Sequence, residues 1–225
     1  MIALTPNECR VLGVLVEKAL TTPAQYPMTL NAIVNGCNQK NNRDPVLNLD
    51  EEATFDALEG LRNKGLAREV IMTGSRVEKY RHVAKEALET DTAGLVVLVE
   101  LLLRGPQTVG EIRGRASRMH PLESIEAVEQ ALSHLINRDK PLVKELPPSP
   151  GTRAARFAQL LCPTLHPLDA PATSSHHAGT GAAHQQDQLV ERVEQLEQDV
   201  SRLRDAIARL AASLGEANPF AGTNH

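Results

Sequence analysis

Apolar residues recur at helical spacing near the start of the chain, where Leu12, Leu15, Val16 and Ala19 make one face, the pattern of an amphipathic helix. Thr5-Pro6-Asn7-Glu8 supplies two agreeing start signals: a capping box and a proline at the first helical position. A helix is therefore expected over residues 6–20, ended by Thr21-Thr22-Pro23. Tyr26-Pro27-Met28 favours a short extended piece, because the residue before proline is pushed out of the α region, and Thr29 can cap a helix over 30–38. The polar loop Gly36 to Pro45 follows. Asp50 caps the next helix, with Glu51 and Glu52 complementing its dipole, Phe55, Leu58 and Leu61 as its apolar stripe, and Gly65 as its stop. Residues 67–73 and 77–83 flank Gly74-Ser75, the Gly-X turn of a two-residue hairpin.

The same order returns further on. Val14-Leu-Val-Glu-Lys-Ala-Leu20 matches Val97-Leu-Val-Glu-Leu-Leu-Leu103 at an offset of 83, and Thr29-Leu-Asn-Ala-Ile33 matches Thr108-Val-Gly-Glu-Ile112 at 79. Ala57, Leu58 and Leu61 match Ala131, Leu132 and Leu135 at 74. The offsets shrink because the second copy lacks the long polar loop. Thr108 with Glu111 makes a second capping box, and residues 142–146 and 154–161 flank a longer hairpin. The competing explanation is a chance match of two amphipathic segments.

After Cys162 the composition turns to Pro, Ala, Ser, Thr, Gly and His with nothing to bury, as expected of a flexible linker. From Leu189 a heptad takes over. Val193, Val200 and Ile207 fall at a, and Leu189, Leu196, Leu203 and Leu210 at d, the combination of a parallel two-stranded coiled coil. Arg192 would face Glu197 of a partner helix, and Asp199 would face Arg204. These seven residues are the expected dimer seam, the alternative being an amphipathic helix packed on its own heads.

Composition narrows the classes. Two Tyr, three Phe and no Trp leave cores of Leu, Val, Ile and Ala, and too few aromatics for a single-strand stacking platform. Residues 1–85 carry 11 Lys+Arg against 10 Asp+Glu, residues 86–168 carry 9 against 10, and 169–225 carry 4 against 8. No globular part has the basic balance of a tight nucleic-acid binder, so such binding must come from local patches. Three separated cysteines, no leader-like N-terminus and no apolar run long enough to span a membrane point to a cytoplasmic protein.

Candidate chemistry is sparse. The loop residues Asn38, Gln39, Lys40, Asn42 and Arg43 offer charge and amides for phosphates or base edges; the plainer reading is a connector whose Asn and Asp bond their own backbone. Arg76, Lys79 and Arg81 are candidate DNA contacts on the first hairpin, and Arg113, Arg115 and Arg118 form a candidate basic patch in the second copy. The second helix of each copy, over 50–64 and 123–138, is acidic at its start, where a reading helix would meet phosphates. Cys37 beside Lys40 reads as a buried thiol, and His176, His177 and His184 lack a ligand scaffold, so no metal and no cofactor are expected. With no catalytic motif, no enzyme is expected.

Tyr26-Pro-Met-Thr-Leu-Asn31, Cys37-Asn-Gln-Lys40, Asn42-Arg-Asp-Pro-Val46 and the helix ending Leu61 to Leu66 give the chain a specific likeness. On these residues it resembles the YceH family of bacterial proteins over nearly its whole length. The resemblance implies two tandem winged helices and a cytosolic location, and carries no activity and no functional residue. The expected fold is thus mainly α with small β-hairpins: winged helices over 1–88 and 89–168, a disordered linker over 169–186, a coiled-coil helix over 187–215 and a disordered tail over 216–225. The expected function is a dimeric DNA-binding or regulatory protein, with a protein-interaction scaffold as the alternative.

Overall fold

The computed structural model describes residues 2–71, 77–148 and 153–166, all within the compact unit Met1–Ala172. The linker, the heptad residues Leu189 to Leu210, the three linker histidines, Arg76 and the Gly74-Ser75 turn lie outside the described residues.

Seven α-helices and two small antiparallel sheets make up the described residues, an α+β arrangement. The first copy runs α1 (Pro6–Thr21), α2 (Leu30–Cys37), α3 (Glu51–Asn63), β1 (Ala67–Val70) and β2 (Lys79–His82). A short α4 (Ala84–Ala87) leads into the second: α5 (Thr92–Arg104), β3 (Gln107–Thr108), α6 (Val109–Ala116), α7 (Ile125–Ile136), β4 (Val143–Leu146) and β5 (Arg156–Gln159). Helix, helix, helix, hairpin therefore occurs twice, in the order of the sequence repeat.

The expected caps are all present. Thr5 and Thr108 each close a capping box, Thr29 and Asp50 cap α2 and α3, and Gly65 leaves α3 at φ 71, a left-handed conformation that glycine adopts without a Cβ penalty. β1 and β2 pair antiparallel from Ala67↔His82 to Val70↔Lys79. Met28 bridges Tyr80 in the first copy where β3 pairs β5 in the second.

Two expectations about packing need correction. The sequence suggests one buried face for α1, but every residue from Glu8 to Glu17 is buried. The cause is tertiary: α1 is covered by α2 and α3 on one side and by α5, buried from Gly94 to Leu103, on another. Gly13 permits the approach, since a Cβ there would meet Leu103 Cδ2 at 2.7 Å. A single apolar core runs through both copies.

Phe55 is not part of the α3 stripe; it is 40% exposed, and the buried line is Thr54, Ala57, Leu58 and Leu61. Positions 54, 58 and 61 share one helical face, and Phe55 sits about 100° round from it.

Candidate functional site

The polar loop after α2 is stapled down on three sides. Asn38 Nδ2 donates to the Leu49 carbonyl and Leu49 N–H donates to Asn38 Oδ1, both at 2.7 Å. Arg10, fully buried on α1, donates to the carbonyls of Cys37 and Pro45. Asp44 N–H donates to the Leu103 carbonyl at 2.8 Å, and His166 Nε2 lies 2.6 Å from the Asp44 carbonyl. Arg104 reaches Asn42, which holds φ 63. The loop therefore joins α1, α5 and the segment after β5.

Arg43 is a buried group, only 6% exposed. Its guanidinium donates to the carbonyls of Gly36 and Asn42, to Gln39 Oε1 at 3.0 Å and to Glu17 Oε2 at 2.5 Å. Of the five loop residues singled out in the sequence, Asn38 and Arg43 are thus spent on internal bonds, Gln39 and Asn42 are exposed but accept from Arg43 and Arg104, and Lys40 is exposed. Asn38→Ala leaves the Leu49 N–H and carbonyl without their partner, and we expect a loss of roughly 2 kcal/mol, read as a lower urea midpoint with an unchanged slope.

Glu17 and Glu100 stand at matching places in the two Val-Leu-Val-Glu segments, and both are buried. Glu17 receives Arg43 on both oxygens and Arg118 at 2.6 Å. Burial pushes its carboxyl up, but the hydrogen bonds and charge of Arg43 and the charge of Arg118 outweigh that and hold it below the usual range. Glu100 has Arg104 Nε at 2.8 Å and Arg118 at 3.7 Å, yet neither of its oxygens has an aligned hydrogen bond. Burial dominates here and pushes its carboxyl up, with Arg104, Arg118 and Arg115 offsetting part of the effect. Arg118 therefore bridges one carboxylate from each copy.

The second-copy patch divides accordingly. Arg118 is tied to the two glutamates, Arg115 pairs with Glu111 at 3.5 Å and donates to Gln107, and exposed Arg113 donates to the Glu123 carbonyl. The bridging role of Glu17, Glu100 and Arg104 is not apparent from the sequence motifs. The signal that could have found it is the repeat, which aligns two glutamates inside apolar runs.

The first hairpin differs. Ala67 and Tyr80 face inward and are buried, so strand alternation puts Arg68, Val70, Lys79 and Arg81 together on the outer face. Arg68 lies directly opposite Arg81 in the register. Among the described residues, Arg68, Lys79 and Arg81 have no ion pair; the neighbouring Glu69 is taken by Arg62 at 3.3 Å. Arg68 is absent from the candidates read in the sequence and is recognised by its register with Arg81.

The outward positions of α3 and α7 are acidic, with Glu51, Glu52 and Asp56 around exposed Phe55, and Glu126 and Glu129 near exposed Ile125. Cys37 is fully buried, and burial pushes its thiol up to about 12. Among the described residues no cluster of His, Cys, Asp or Glu is placed to hold a metal ion, and no helix is long and apolar enough to cross a membrane.

Comparison with known proteins places the chain. It is 43% identical over 219 residues to a UPF0502 protein of Shewanella sp. strain MR-4, covering 94% of this chain and 99% of the relative. It is 46% identical over 201 residues to one from Koribacter versatilis, covering 89% and 90%. A third, from Geotalea daltonii, is 54% identical over 159 residues, covering 71% and 72%. A family model described as "Protein of unknown function, DUF480" matches residues 4–152. On these matches the chain belongs to the DUF480/UPF0502 family of bacterial proteins, which is also the YceH family that its sequence resembles.

Proposed function

We propose that the chain is a non-enzymatic binding protein, built of two tandem winged helices, that contacts duplex DNA through the phosphates facing its first hairpin. The observation that carries this reading is the outer face of β1 and β2, where Arg68 sits across from Arg81 with Lys79 beside them and no described carboxylate pairs with any of the three. Like charges directly opposite on a sheet are destabilising, and an anionic backbone offsets the repulsion. The hairpin leads rather than α3, because carboxylates on the first turn of α3 repel phosphates.

The heptad pattern from Leu189 to Leu210 in the sequence supports a dimer, each head on its own linker. Titration of a labelled duplex with the full chain at low and moderate salt tests the reading. Affinity falling steeply with salt is expected, and absence of binding at low salt contradicts it.

A second reading is a protein-interaction scaffold, favoured by the acidic outward faces of α3 and α7 with Phe55 and Ile125 exposed among the carboxylates. Such faces suit a basic partner with an apolar anchor. Capture from extract with nuclease present separates the two: partners that survive nuclease favour the scaffold.

A further inference from the structure

Glu17 and Glu100 come from matching positions of the repeat, but only one is solvated by the protein. Glu17 has hydrogen bonds on both oxygens, which replace water. Glu100 is fully buried and has none. The charged groups around Glu100 are Arg104 on its own helix α5, Arg115 on α6, Arg118 on the turn after α6, and Glu17 on α1 with Arg43 behind it. Gln107 bonds the Glu100 backbone carbonyl rather than its carboxyl. His166 lies against Gly105, next to Arg104, and burial lowers its pKa, so its ring stays neutral above its ordinary value. A buried carboxylate that accepts no aligned hydrogen bond is costly when charged and far less so when protonated.

We propose that Glu100 is a proton switch in the seam between α1 and α5: the closed seam holds it protonated, and ionisation loosens the seam because the buried carboxylate then needs hydrogen bonds that the closed seam does not supply. The sign follows from linkage. A carboxyl whose pKa is higher in the closed than in the loosened form binds a proton on closing. Closure is then favoured in mild acid and weakens as pH rises from the usual carboxylate range through the closed-state value. Burial of Glu100 raises its pKa in that direction. Glu17, held below the usual range, stays ionised throughout. This switch does not depend on DNA being the partner.

Hydrogen exchange of the full chain, corrected for intrinsic rates across mildly acidic to mildly basic pH, tests it. In the wild type, amides of α1 and α5 should lose protection as pH rises, by about tenfold for each unit separating the closed and loosened pKa values, while those of β1 and β2 do not. Glu100→Gln, which mimics the protonated acid, should hold the seam at its acid level at every pH. A wild-type seam with pH-independent protection, or a Glu100→Gln seam with the wild-type slope, overturns the proposal. Should the variant fail to fold, carbon-detected titration of the Glu100 carboxyl in the wild type decides: titration above the surface glutamates supports the switch, and titration among them overturns it.

Discussion

Glu17→Gln lowers the stability of the folded unit by roughly 3–5 kcal/mol at neutral pH, whereas Glu100→Gln at the matching position leaves it unchanged or slightly higher. The difference lies in what each substitution strands. Removing the Glu17 charge leaves Arg43, whose side chain is 0% exposed, as an uncompensated buried cation and takes away the 2.6 Å partner of Arg118. Removing the Glu100 charge relieves a carboxylate without aligned hydrogen bonds, while Arg118 keeps Glu17 and Arg104 keeps Asn42.

The pH dependence of the first deficit follows from the lowered Glu17 pKa. A depressed carboxyl contributes stability above its unfolded value and loses it as pH falls through the folded value. The gap between wild type and Glu17→Gln should therefore narrow below the usual carboxylate range. Urea midpoints of the three proteins, measured against pH, check both parts. Equal losses for the two variants would mean that both carboxylates are held alike.

Replacing Arg68, Lys79 and Arg81 together by alanine should lower duplex affinity at low salt on the order of a hundredfold, taking about 1 kcal/mol for each solvent-exposed ion pair with a phosphate. The slope of log affinity against log salt should flatten by about 0.9 for each phosphate that the variant no longer neutralises. Stability should not suffer, because the substitution removes the like-charged Arg68↔Arg81 pair from an outer face without touching Ala67 or Tyr80 beneath it. Fluorescence anisotropy and urea midpoints on the same preparation report the two effects together. Unchanged affinity would remove the hairpin from the interface.

Local rules account for what is legible in the sequence. Thr5, Thr29, Asp50 and Thr108 act through side-chain bonds to backbone three residues away, and such bonds are written in short motifs. The repeat exposes the shared order of elements because each copy buries the same helical positions. What stays hidden depends on residues far apart in the chain. Arg43 in an Asn-rich loop looks like a surface cation, and only packing against α1 reveals Glu17, 26 residues away. Burial of α1 on all sides follows from α5, which no periodicity within α1 can announce. Phe55 is easily misplaced because residues 54 and 55 both lie within a helical turn of Leu58, and the choice between them is tertiary.

The most direct test of hairpin-led DNA binding is to map the surface that a duplex covers, by amide exchange or chemical-shift perturbation on the full chain. The expected changes concentrate on β1 and β2, around Arg68, Lys79 and Arg81, with the outward faces of α3 and α7 unaffected. Duplex-dependent changes confined to α3 or α7, with the hairpin silent, would contradict it.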